Sequence, residues 1–148
     1  MTTLPAYVVL NSSKEEDAAV LRNSAEALTF PLSSEDREII RILETKFDQE
    51  KGCAGLAAPQ IGFGKQIIVF AVPDNPKFKK WRPDLLQTMG KTLWINPSYE
   101  PVGTEKHTDY EACFSVADVA GPVPRLRPFG IKPTHLKAPL WKERLKDS

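Results

Sequence analysis

An α+β fold is predicted by three observations: one long amphipathic helix early in the chain, several strand-length apolar runs after it, and no alternation of the two. The helix is the clearest element. Ser33 reads as its N-cap, with Glu35 and Asp36 in the first turn, where unpaired N–H groups and the helix dipole favour acidic side chains. Ile39, Ile40, Leu43 and Phe47 follow at helical spacing between charged residues, which gives an amphipathic helix over 34–50. Gly52 and Gly55 end it. Before it, Tyr7-Val8-Val9-Leu10 has the composition of a short strand, and Pro31 marks a break.

After the helix the texture changes to strands and turns. Gln66 to Val72 is an apolar run bounded by Gly64 and Pro73, hence a buried strand. Pro73 to Pro83 reads as a loop, and Thr92 to Asn96 as a second strand. Tyr110 to Val116 is a third, and Val123 to Ile131 a fourth whose Pro124 and Pro128 place it at an edge. Residues 132–148 carry Pro133, Pro139, Trp141 and a Lys/Glu/Arg run without a period of two or 3.6, an atypical tail. With 148 residues the chain is expected to form a single domain over 1–148.

Composition narrows the partners. Twenty basic residues against nineteen acidic leave a charge of +1, which gives no electrostatic case for nucleic acid or an anionic membrane. The tightest basic cluster, Lys77, Lys79, Lys80 and Arg82 around Phe78 and Trp81, reads as a solvated loop. No run approaches the roughly 18 apolar residues that a membrane span needs. Glu15, Glu16 and Asp17 argue against a transit peptide, so a cytoplasmic location is expected. Cys53 and Cys113 are too few for a disulfide framework and suit a reducing compartment.

Two segments have the makings of a site. In Gly55-Leu56-Ala57-Ala58-Pro59-Gln60-Ile61-Gly62, glycine and alanine let a backbone approach a ligand, and proline stiffens the turn. Gln60 there offers an amide donor for a developing oxyanion. The plainer reading is a small-residue turn between helix and strand. In Glu111-Ala112-Cys113-Phe114-Ser115-Val116, an extended backbone would put Glu111, Cys113 and Ser115 on one face. Cys113 could be a metal thiolate, a nucleophile or a small buried hydrophobe. The only imidazoles are His107 and His135, neither with a partner at ligand spacing. Gly121 to Arg125 reads as a turn feeding a strand, with Arg125 placed to pair with an acid.

Taken jointly, Gly55–Gly62 resembles the first signature of peptide deformylases, G-x-G-L-A-A-P-Q-x-G. Glu111–Ser115 resembles the second, E-G-C-L-S, and Gly121–Arg125 the G-x-V-x-R that follows it. The resemblance covers about residues 30–131. It implies a peptide deformylase-like fold, an N-terminal helix followed by antiparallel strands. It also implies the family's activity, hydrolytic removal of the N-formyl group from the first methionine of new polypeptides. In the family a metal, usually Fe2+ and sometimes zinc or nickel, is held by one thiolate and two histidines, with an open position for water. Carried over, Cys113 is the thiolate ligand. Gln60 and the backbone N–H of Phe114 bind the formyl oxygen, while Gly55 and Leu56 line the peptide.

The departures are as informative. The third family signature, H-E-x-x-D-H on a helix, supplies two histidine ligands and the general base. It does not occur in this sequence. Smaller departures are Cys53 and Ala112 for glycine and Phe114 for leucine. Were position 112 to need a positive φ, alanine would cost on the order of 1 kcal/mol. The expectation is therefore a C-terminally truncated deformylase homologue that is catalytically silent, with Cys113 vestigial and no cofactor of its own. One alternative is residual activity with a metal recruited through Cys113, His107 or His135. Another is a binding module for formyl-methionyl peptides. Uncovered strands 66–72 and 92–96 would favour oligomers or aggregates. The tail is expected to be a frameshifted reading, since a shifted frame across Trp141 and Lys142 forces a glutamate.

Overall fold

The computed structural model describes residues 8–83, 86–126 and 129–135 of the chain. Its organising element is a helix that begins where the sequence placed a cap. The Ser33 hydroxyl oxygen accepts from the Asp36 N–H at 3.0 Å, while the Asp36 carboxylate accepts from the Ser33 N–H at 3.3 Å. This reciprocal box satisfies two end donors and accounts for the burial of Asp36. The helix, Ser34–Gln49, is the second in the chain; the first, α1, spans Glu15–Arg22, so the capped one is α2.

The face of α2 carrying Ile39, Ile40, Leu43 and Phe47 packs on a four-stranded antiparallel sheet. Its strands are β1 (Gly55–Ala57), β2 (Ile67–Val72), β3 (Met89–Pro101) and, after two further strands, β6 (Phe129–His135), in the order β1-β2-β3-β6. Period-two alternation sorts β2: Ile67 and Val69 are buried under α2, while Ile68 and Phe70 lie half-buried on the other face. There the rings of Phe70 and Trp94 meet edge to face, 4.7 Å between centroids. The remaining strands, β4 (Lys106–Cys113) and β5 (Val116–Leu126), form a separate antiparallel hairpin.

Several local expectations are corrected. Val8 to Leu10 form no strand, and Tyr7 lies outside the described residues. The segment read as a loop contains a short helix, α3 (Pro76–Trp81), started by the Asn75 side chain, which accepts from the Lys77 N–H at 2.9 Å. The third strand ends at Cys113, because Phe114 and Ser115 make the hairpin turn. The fourth is two strands: β5 runs through Pro122 and Pro124, and β6 starts at Phe129. Both are edge strands, where a residue without an N–H is tolerated. Gly121 lies within β5, opposite Glu111, and not in a turn. The first part of the tail is strand as well, with Lys132 opposite Ser98 and His135 opposite Ile95. Residues 136–148 lie outside the described residues.

Candidate active site

The two signature segments meet across an open cleft of about 720 Å³ between the four-stranded sheet and the β4–β5 hairpin. Gly55 and Gln60 contribute one wall; Ala112, Cys113, Phe114 and Val116 contribute the other. The first wall is built by β1 and the 3-10 turn Ala58–Ile61 that follows, with Pro59 at its start and Ala58 and Ile61 buried beneath. Gly62 closes the turn at φ 94°, a left-handed conformation that glycine adopts without strain.

Gln60 is held by its own turn. Its side-chain oxygen accepts from the Ala57 N–H at 2.9 Å. A main-chain N–H can only donate, so this contact fixes which end of the amide is which. The Nε2 end is thereby directed at the other wall, 3.2 Å from the Ser115 hydroxyl and 3.6 Å from the Cys113 sulfur. A donor presented to the cleft beside the sulfur is one that a carbonyl oxygen replacing the sulfur as acceptor would use.

Gly55 presents main chain to the cleft. The Ala54 carbonyl accepts from the Ala71 N–H at 3.0 Å, and antiparallel ladders use alternate residues. Gly55 and Ala57 therefore turn their main-chain groups to the outer edge of β1. Consistent with this, the Ala57 N–H goes to Gln60 and the Gly55 carbonyl accepts from the Cys53 thiol at 3.2 Å. Leu56 is not brought to the cleft. Its side chain is 2 % exposed, in the core under α2, and the same alternation turns its main chain towards β2.

On the second wall Cys113 is exposed and Phe114 is 45 % exposed at the hairpin turn. Ser115, only 4 % exposed, does not share a strand face with Glu111 and Cys113, because it belongs to the turn. Glu111 instead holds Arg125 across the hairpin through two contacts of 2.5 and 2.6 Å. Ala112 is not at a positive φ; among the described residues only Asn96 and Asp118 are non-glycines in that region, so the conditional strain at 112 does not arise. Burial pushes the Cys53 thiol above its ordinary value, with the charges of Glu50 and Cys113 acting in the same direction.

The described residues do not assemble a metal site. Among the described residues no three His, Cys, Asp or Glu side chains converge. His107 sits six positions before Cys113 on β4, roughly 20 Å away at strand rise, and contacts Glu105 at 3.2 Å. The main chain of His135 is paired to Ile95 at the end of β6. His107 is therefore not brought to Cys113, and the side chain of His135 lies outside what the structure describes.

Three contacts escape a reading of the sequence, although Ser115 itself lies in the second segment. The Ser115 hydroxyl meets Gln60, while the main-chain N–H groups of Leu10 and Ser12 donate to the Gln60 carbonyl at 2.7 Å and the Ser115 carbonyl at 2.8 Å. Ser115 stands inside the second signature, and being its only hydroxyl is the signal that could have singled it out. The other two act through main chain, which leaves no trace in residue type.

A sequence model of the polypeptide deformylase family matches residues 11–142. The chain belongs to this family. Among named relatives, it is 56% identical over 127 residues to peptide deformylase 2 of Rickettsia conorii, covering 84% of this chain and 63% of that one. Against peptide deformylase 2 of Ralstonia nicotianae it is 37% identical over 90 residues, 60% of this chain and 48% of the other. The chain thus spans less than two thirds of the length of either relative. Among solved structures, peptide deformylase from Ehrlichia chaffeensis superposes with a TM-score of 0.66 at 20% identity, over 86% of this chain and 67% of that one. The Acinetobacter baumannii class I type b deformylase, solved with Met-Ala-Ser bound, gives 0.65 at 24% identity, over 85% and 73%. These likenesses establish the deformylase fold. The family match continues to residue 142, past Ile131, where the resemblance in the signatures ends, and includes β6. No helix among the described residues is long and apolar enough to cross a membrane.

Proposed function

We propose that this chain carries the peptide-holding part of a deformylase site and, with the residues of this sequence alone, does not complete the hydrolysis. The supporting observation is the cleft: Gln60 Nε2 stands 3.6 Å from Cys113 Sγ, with Gly55 and Phe114 on the same walls. The substrate class is a polypeptide amino terminus bearing N-formyl-methionine, laid along the outer edge of β1. Its formyl oxygen would take the place of the Cys113 sulfur as acceptor for Gln60 Nε2 and accept also from the Phe114 N–H. That the related Acinetobacter protein holds Met-Ala-Ser supports a peptide beginning with methionine.

Hydrolysis asks for more. The family is metal-dependent, and one thiolate without its two histidines and glutamate base fits no resident metal. The residues of this chain therefore supply grip and orientation but no attacking water. The location consistent with this role is the cytoplasm, where new polypeptides begin. The test combines metal analysis, formate release and calorimetric binding of formyl-Met-Ala-Ser. The expected result is no stoichiometric iron, nickel or zinc, no formate, and binding of the formylated peptide that weakens roughly 5- to 10-fold in Gln60→Ala, the loss of one hydrogen bond of about 1 kcal/mol. One ion per chain that disappears in Cys113→Ala, with formate released, would overturn the silent reading. Equal affinity for formylated and unformylated peptide would overturn the binding.

A further inference from the structure

The segment before α1 has no regular structure, yet it reaches both walls of the cleft. Leu10 donates its N–H to the Gln60 carbonyl at 2.7 Å, and Ser12 donates to the Ser115 carbonyl at 2.8 Å. The two acceptors belong to different sheets: Gln60 follows β1 of the four-stranded sheet, and Ser115 turns the β4–β5 hairpin. They are far from the donors in sequence, by fifty residues (60 − 10) and by 103 (115 − 12). Two residues apart on one stretch of chain, the donors set a fixed spacing between the walls.

The segment is itself anchored. The Asn11 N–H donates to the Asp17 carboxylate at 2.9 Å, tying it to α1. The Asn11 side-chain oxygen accepts from the Ser13 N–H at 3.0 Å and the Ser13 hydroxyl at 2.8 Å, and its carbonyl accepts from the Lys14 N–H at 3.0 Å. Val9 packs on the core just before. On the cleft side the ring is closed by side chains, since Gln60 Nε2 donates to the buried Ser115 hydroxyl at 3.2 Å. Leu10, Gln60, Ser115 and Ser12 thus form one hydrogen-bonded loop in which moving either wall breaks a contact on both.

We propose that residues 10–12 are a positioning strap: the Leu10 and Ser12 N–H groups fix the separation of the Gln60 and Ser115 turns, and Ser115 is the positioning side chain that keeps Gln60 Nε2 aimed at Cys113. The consequence, a donor pre-set for a formyl oxygen, rests on the peptide-holding role proposed above, but the strap is tested without any ligand. If peptide binding fails while the strap behaves as below, only the functional reading falls.

The experiment uses the full chain, with amide hydrogen exchange read by mass spectrometry and the Gln60 side-chain amide followed by NMR. Ser12→Pro removes one strap donor; Ser115→Ala removes the hydroxyl, and Ser115→Thr restores one. Ser12→Pro is expected to raise exchange about tenfold in both turns, residues 57–61 and 113–116, with β2 unchanged, and to shift the Gln60 side-chain resonances. Ser115→Ala should shift the same resonances, and Ser115→Thr should bring them back. Faster exchange confined to residues 8–14 would overturn the strap. A uniform rise that includes β2 would mean the proline unfolds the domain; Ser115→Ala then decides, and Gln60 resonances unmoved by it would refute the positioning.

Discussion

The two sheets of this domain are supported very differently. Leu43 of α2 and Ile67 and Val69 of β2 are fully enclosed in one core cluster, and the four-stranded sheet is held by that packing. The β4–β5 hairpin has no such cover among the described residues: Tyr110 is 78 % exposed and Val119 is 61 % exposed. It is held by its own ladder and at its turn by Ser12 and Gln60. The cleft lies on the seam between these regions. Its donor, Gln60, stands on the packed side, whereas Cys113 and Phe114 stand on the unpacked side. A site made this way has one wall whose geometry comes from the core and another whose geometry must be lent by hydrogen bonds.

The comparison is broken most directly by attacking the packed side. Leu43→Ala removes a side chain with no exposure from the centre of the core, and large-to-small changes of this kind cost about 2–5 kcal/mol. Denaturant unfolding should show a loss in that range with both sheets melting together. A loss under about 1 kcal/mol would mean that the face of α2 is not what holds the sheet.

Why the sequence tells of one region more than the other follows from the same difference. Burial writes periodicity: Ile39, Ile40, Leu43 and Phe47 announce α2, and Ile67 and Val69 announce β2, because apolar contact selects residue type. Ser33 and Asp36 announce the start because a cap needs a short oxygen-bearing side chain. The fold class and the meeting of the signature segments are legible on these grounds together with the family resemblance. α1 is not, since Ala18 is its only buried residue and Lys14 caps it without a side-chain bond. β1 is three residues long, too short for alternation to show. The hairpin turn at Phe114 and Ser115 carries no glycine or asparagine, so nothing marks the end of the third strand. The motif alone does not say that the pleat turns the Leu56 side chain to the core.

A second test sharpens the contrast in surface chemistry. Ile68, Phe70 and Trp94 line an open groove of about 400 Å³ on the sheet face opposite α2, and Tyr110 and Val119 add exposed apolar area on the hairpin. Exposed apolar surface of this kind favours association, so the chain is expected to self-associate as its concentration rises. Sedimentation velocity over a dilution series measures this directly. A species that stays monomeric at every concentration and melts sharply would show that these faces are covered by the chain itself.

The smallest expected effect probes the hairpin from within. Glu111, opposite Gly121, and Arg125, opposite His107, reach each other diagonally across β4 and β5 through a two-pronged contact, a charged pair that lies wholly on the hairpin. Geometry of this quality would be worth several kcal/mol in a dry interior. Here the side chains of Arg125 and Glu111 are 52 % and 30 % exposed, and water screens most of the attraction. A double-mutant cycle of Glu111→Gln and Arg125→Gln should therefore give a coupling of only about 0.5 kcal/mol, reduced further in 1 M salt, where screening acts over roughly 3 Å. The cycle should also leave the unfolding midpoint nearly where it was, because the core and not the hairpin sets it. A coupling above about 2 kcal/mol would mean that the pair is far less hydrated than its exposure implies. The hairpin would then be stiff in its own right, and the strap through Ser12 would be holding a wall that did not need it.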